Sequence, residues 1–187
     1  MKGLLLSGIP ELFLLSLAFM LGDGGKYAAV LSAALVHEAG HILAAALLGA
    51  KMQFCRTGIS GISLKYDFSL ISPAREALIC FSGPLTGFAV LWFCYTNGNI
   101  SFFAGACAAL SVFNMLPISY LDGGCILSAL LSLVLPPDTV WRVCRVLSVI
   151  FTMLLWCAAV FIMLRSGGDL SVMAAAMYLL YRLFSEY

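Results

Sequence analysis

Long apolar runs parted by short polar breaks organise this chain. Leu4–Leu21, Tyr27–Ala50, Ala74–Tyr95, Ser101–Leu135, Val140–Leu164 and Leu170–Phe184 are each almost continuously apolar. A helix needs about 20 such residues to cross a bilayer, and the pattern predicts about six transmembrane helices. The breaks carry turn chemistry: Gly22-Asp23-Gly24-Gly25-Lys26, Asn97-Gly98-Asn99 and Pro136-Pro137-Asp138. The fourth run is too long for one straight helix, and Asn114-Met115-Leu116-Pro117 predicts a break inside it. The first run exceeds the roughly 7–15 residues of a signal-peptide core and ends without a small-x-small site, so it reads as a retained helix.

The connection Lys51–Pro73 follows a different period. Ile62, Leu64, Tyr66 and Phe68 alternate with Ser63, Lys65 and Asp67. Period two predicts a strand, and Gly58 and Gly61 predict a tight turn or bulge before it. The expected fold class is an all-α polytopic membrane protein of about six helices, with a short membrane-associated β-hairpin or strand after helix two. An open sheet edge is not tolerated against lipid, so this strand is expected to face protein or a wet cavity. Residues 1–187 are expected to form a single transmembrane domain with no appended soluble domain.

Composition agrees with a membrane setting. The chain is 63% hydrophobic and 10% charged, with a mean hydropathy of +1.05; soluble domains lie near about 45–50% and about 25%. The net charge of +1, with no basic run, gives no footprint for nucleic acid. Cys55, Cys80, Cys94, Cys107, Cys125, Cys144 and Cys157 form no CxxC pair, and are expected to pack as small apolar residues rather than as disulfides or thiolate ligands. Lys2, Lys51, Arg56, Lys65, Arg75, Arg142, Arg145 and Arg182 fall on one side of the predicted membrane, and Lys26 and Arg165 on the other. Eight against two puts both termini and the strand-bearing loop in the cytoplasm.

Ionisable groups inside an apolar helix are costly and functional by default. His37-Glu38-Ala39-Gly40-His41 puts three of them within five residues of the second predicted helix, and His37 and His41 are the chain's two histidines. Residues four apart share a helix face, so both imidazoles can grip one ion, as HExxH helices do for zinc. Glu38 is placed to take a proton from water whose pKa the ion lowers. Ala39 and Gly40 leave space for substrate or a neighbouring helix. The bland alternative is a packed pair of histidines and a glutamate.

A catalytic zinc usually takes three protein ligands, and the third must here be a carboxylate. Asp23, Asp67, Asp138, Asp169 and Glu186 fall at loops or the terminus, and Glu76 follows Arg75 near the start of helix three. Asp122, in Leu121-Asp122-Gly123-Gly124, lies inside the fourth run, on a helix parallel to the second. The break at Asn114–Pro117 and the two glycines permit a close approach to the ion. The alternative is an Asp-Gly turn with a capping aspartate. Glu11, after Pro10, suits the dipole of a first helical turn.

On these residues the chain resembles the site-2 proteases, a family of intramembrane zinc metalloproteases. The carrying motifs are His37-Glu38-Ala39-Gly40-His41 and Asn114-Met115-Leu116-Pro117-Ile118-Ser119-Tyr120-Leu121-Asp122-Gly123, the latter matching the family's NxxP…LDG pattern. Phe81-Ser82-Gly83-Pro84-Leu85-Thr86-Gly87 resembles the family's Gly-Pro segment, so the match spans residues 27–135 in order. Length and short loops resemble the sporulation-type branch, which processes a membrane-tethered sigma-factor precursor in the bacterial cytoplasmic membrane. The resemblance implies one zinc ion per chain held by His37, His41 and Asp122, with Glu38 as catalytic base. It implies Asn114 near the oxyanion or substrate backbone. It also implies that the strand from Gly58, Ile59, Ser60, Gly61 and Ile62 onward pairs with an unwound membrane-spanning protein substrate.

Two departures qualify the resemblance. Gly87 stands where the family often has an asparagine, and the family's nucleotide-binding and peptide-binding regulatory domains are not expected. A regulatory membrane protein remains a possible partner. Two other functions use the same residues: a metal transporter or sensor, and an inactive relative that binds membrane helices.

Overall fold

The structure, a computed structural model, describes residues 3–5, 24–58, 61–67 and 71–165. These form β1 (Gly3–Leu5), α1 (Gly24–Leu48), β2 (Lys51–Gly58), β3 (Gly61–Asp67), α2 (Pro73–Thr96), α3 (Phe102–Asn114), α4 (Asp122–Leu131) and α5 (Pro137–Arg165). Three helices are long and apolar enough to cross a membrane: Gly24–Leu48, Pro73–Thr96 and Pro137–Phe161. The 25 residues of α1, at about 1.5 Å each, exceed a hydrocarbon core of about 30 Å. Leu31, Leu35, Leu43, Leu47, Trp92, Phe93, Leu154 and Phe161 are exposed. Water would not tolerate such a surface and lipid does, so this is a membrane protein.

The helix boundaries have local causes. Helix α1 stops at Gly49, whose φ of +77° suits the left-handed turn that ends many helices. Pro73 opens α2, where a missing N–H costs nothing. The Ser101 hydroxyl caps α3 by accepting from the Ala104 amide at 3.3 Å. Pro117, three residues after Asn114, prevents α3 from continuing. The chain then turns through Met115–Leu121 before α4 begins at Asp122.

The expected fold class is corrected in three respects. The described residues hold five helices rather than about six transmembrane ones. The fourth run is two short helices, Phe102–Asn114 and Asp122–Leu131, each too short to span. Hydropathy sees one apolar run there because the intervening turn is itself apolar. Leu4 and Leu5, expected in the first helix, are extended and pair antiparallel with Tyr66 and Lys65. The strand-bearing element is therefore a three-stranded sheet of order β1-β3-β2 rather than a hairpin alone. The rest of the first predicted helix, and the sixth at Leu170–Phe184, lie outside the described residues.

Small residues set the helix spacing. Val30, Ala33 and Ala34 of α1 pack against Ala106, Cys107 and Leu110 of α3. At Gly87 of α2 an added Cβ would lie 2.1 Å from Ser111 Oγ and 2.7 Å from the Cys107 carbonyl of α3. That close approach leaves no room for the asparagine common at this position in the family that the sequence resembles.

The cysteine expectation is also corrected. Cys80 of α2 and Cys125 of α4 form a disulfide, their Cα atoms 6.3 Å apart. The two are 45 residues apart on different helices, so no local spacing announces the pair. Cys94, Cys107, Cys144 and Cys157 take part in no disulfide among the described residues.

Candidate metal centre

Helix α1 carries His37, Glu38 and His41 on its buried face, with Val30, Ala33, Ala34, Gly40 and Ala45. The face is narrow: Leu35, Ile42 and Leu43 beside it are exposed. Residues one turn apart thus present both imidazoles to α2 and α4, while the opposite side of α1 exposes Leu31, Leu35, Leu43 and Leu47. The turn after α3 delivers the partner. Asp122, in the first turn of α4, sits where a helix dipole favours a carboxylate.

His37 Nε2 lies 2.9 Å from Asp122 Oδ2. His41 Nε2 lies 3.2 Å from the same oxygen and 3.3 Å from His37 Nε2. All three side chains are buried. His41 Nδ1 is 2.8 Å from the Ile79 carbonyl. A carbonyl only accepts, so Nδ1 carries a proton, and in the neutral ring the lone pair then turns inward from Nε2. A carboxylate oxygen also brings lone pairs. Electron pairs thus converge on one point, an arrangement that a cation satisfies.

The spacing suits a tetrahedral ion. Bonds of about 2.0–2.2 Å set neighbouring ligand atoms about 3.3–3.6 Å apart. The observed triangle of 2.9, 3.2 and 3.3 Å needs to open by about half an ångström at its shortest edge and less at the others. Two imidazoles and one carboxylate are a donor set that zinc takes, with a fourth position left for water or substrate.

Helix α2 makes the room. At Gly83 an added Cβ would fall 2.1 Å from His41 Nε2 and 2.8 Å from His37 Nε2. At Gly40 it would meet the Ser82 carbonyl at 2.8 Å, so the α1–α2 contact is close on both sides of the histidines. Gly123 and Gly124 let the first turn of α4 fold back on its own connection. An added Cβ there would lie 2.2 Å from the Met115 carbonyl or 2.1 Å from the Ile118 carbonyl.

Of the residues that the sequence singles out, the structure brings His37, His41 and Asp122 together. Asn114 joins them: it is buried at the last position of α3, its Nδ2 3.3 Å from His37 Nε2. Glu38 is buried beside them on α1. Glu76 stays in the first turn of α2 and Asp138 in the first turn of α5. Gly58 and Gly61 face one another as the last pair of β2 and β3, and Ile62 pairs with Thr57. Ile59, Ser60 and Glu11 lie outside the described residues. Lys65–Asp67 of β3 is paired on both edges, with β1 and with β2.

Four contributors escaped the sequence reading. The Ile79 carbonyl is backbone and carries no residue signal. Gly83 stood out as part of a motif, but not as the residue under the histidines. Ser148 and Thr152, buried hydroxyls on α5, are detectable in principle, because polar side chains one turn apart in an apolar helix share a face. Compared with models of known protein families and with curated protein sequences, the chain matches none of either.

Proposed function

We propose that this protein is an intramembrane zinc endopeptidase that cleaves a transmembrane or membrane-tethered protein. The observation that carries the proposal is the buried triangle of His37, His41 and Asp122 with Glu38 on the same helix. The resemblance of the HExxH and NxxP…LDG motifs to those of the site-2 proteases supports it. His37 and His41 through Nε2, and Asp122 through Oδ2, would hold the ion. Bound zinc supplies Lewis acidity and brings the pKa of water towards neutrality.

The chain's own groups do the rest. Glu38 accepts the proton of the attacking water and returns it to the leaving amine. The Asn114 amide, beside His37, is placed to donate to the carbonyl oxygen as negative charge develops there. The Ile79 carbonyl holds His41 in the tautomer that presents Nε2. Burial excludes bulk water, so each of these polar contacts counts for more than it would in solution.

The charge bias favours a cytoplasmic side for both termini, and the family resemblance suggests a bacterial cytoplasmic membrane. The substrate class is a membrane-tethered sigma-factor precursor or an anti-sigma factor. The test is co-expression with candidate tethered factors, wild type against Glu38→Gln, scored by fragment size. A fragment that appears with wild type alone is the expected result. Cleavage by Glu38→Gln, or by protein stripped of metal, would overturn the proposal.

A further inference from the structure

The turn that leads into Asp122 is bonded to α5, a helix that contributes nothing to the metal triangle. Three residues before Asp122, the Ser119 amide donates to Ser148 Oγ at 2.8 Å. The Ser119 hydroxyl lies 2.7 Å from the same oxygen. Ser148 spends its single proton on the Cys144 carbonyl at 2.7 Å, so Ser119 must be the donor in the hydroxyl pair. Every valence of the Ser148 hydroxyl is then used, and two of its three bonds go to one residue of the Met115–Leu121 turn. One helical turn on, Thr152 Oγ1 meets the Tyr120 hydroxyl at 3.3 Å.

Apolar contacts follow the same stripe. Phe113, Ile118, Tyr120 and Leu121 form a buried cluster against which Phe151 and Leu155 of α5 pack. Between Arg145 and Arg165, Ser148 and Thr152 are the only hydroxyl side chains of α5, and both are buried. Both meet the turn that carries Asp122. Within that turn the Ile118 and Leu121 amides bond to Leu116 and Ile118 carbonyls. The Ser119 amide instead reaches across to another helix.

We propose that Ser148 is a positioning residue for the metal centre, fixing the Ser119–Asp122 backbone so that Asp122 Oδ2 meets both histidines. This rests on the metal site proposed above, and its test uses metal binding and backbone protection rather than turnover. In Ser148→Ala, chelator competition should show zinc affinity lowered about 10-fold, at the low end of outer-shell losses. The visible spectrum of the cobalt-substituted protein should change as the ligand geometry loosens. In metal-free protein the Ser119 amide should exchange about 10-fold faster or more. Ser148→Thr, which keeps the hydroxyl, should restore all three.

Ser111→Ala is the control. Its hydroxyl is equally buried and is spent on the Cys107 carbonyl of its own helix, so affinity and spectrum should stay as in wild type. Wild-type affinity and slow Ser119 exchange in Ser148→Ala would overturn the proposal, as would an equal loss in Ser111→Ala. Zinc binding by a protein that cleaves no candidate substrate would overturn the peptidase proposal alone.

Discussion

An alanine at position 83 would put its Cβ 2.1 Å from His41 Nε2, closer than any real contact, and the imidazole has buried neighbours on every side. Gly83→Ala is therefore expected to lower zinc affinity by at least about 10-fold in chelator competition. Gly105→Ala, whose added Cβ meets nothing within 4 Å, should leave affinity unchanged. Glu38→Gln should retain zinc, since Glu38 lies outside the ligand triangle, yet lose roughly 10²–10⁴ of its rate as a proton acceptor disappears. Cleavage of a tethered substrate beside metal analysis checks both halves. At this scale the HExxH residues were legible because ionisable groups in an apolar run are conspicuous. Gly83 was not distinguishable from Gly87, since both follow from what approaches them: imidazoles at one, the α3 backbone and Ser111 at the other.

At the scale of elements, the break between α3 and α4 gives the site its second half. The sequence announced that break through Asn114 and Pro117, and the structure turns it into two short helices with Asp122 at the start of the second. The number of spanning helices was less legible, because hydropathy measures how apolar a run is and not whether its backbone stays helical. The link between α2 and α4 was not legible at all, because Cys80 and Cys125 meet only through the packing of two helices. Alkylation of the denatured protein without reductant should leave Cys80 and Cys125 unmodified in peptide mass spectrometry while Cys107 reacts. Alkylation of both would remove the crosslink. The pair sits beside the centre on two sides: Cys80 follows Ile79, which holds His41, and Cys125 lies one turn after Asp122.

For the whole molecule, an ion at the triangle ties α1 to α4 across more than 80 residues of chain. A ligand that binds only the folded state stabilises it by about 2.7 kcal/mol at 100 times its Kd. Zinc should accordingly raise the unfolding temperature of the metal-free protein in detergent, and Asp122→Ala should abolish that rise. An equal rise in Asp122→Ala would place the ion elsewhere. The membrane character of the molecule was legible from composition, because a chain with this little charge has no way to build a wetted surface. The arrangement of helices around the centre was not, since it depends on which small residues face one another.

The separation of the ligands along the chain has a consequence for synthesis. His37 and His41 enter the membrane early, but their carboxylate partner does not exist until the ribosome has added some 81 further residues. A nascent chain that stops after α2 carries a HExxH helix without Asp122, so the candidate metal site is incomplete during insertion. The exposed Asn97–Ser101 connection divides the two halves. Separate fragments cut there, each unable to bind zinc tightly, should recover that capacity when expressed together.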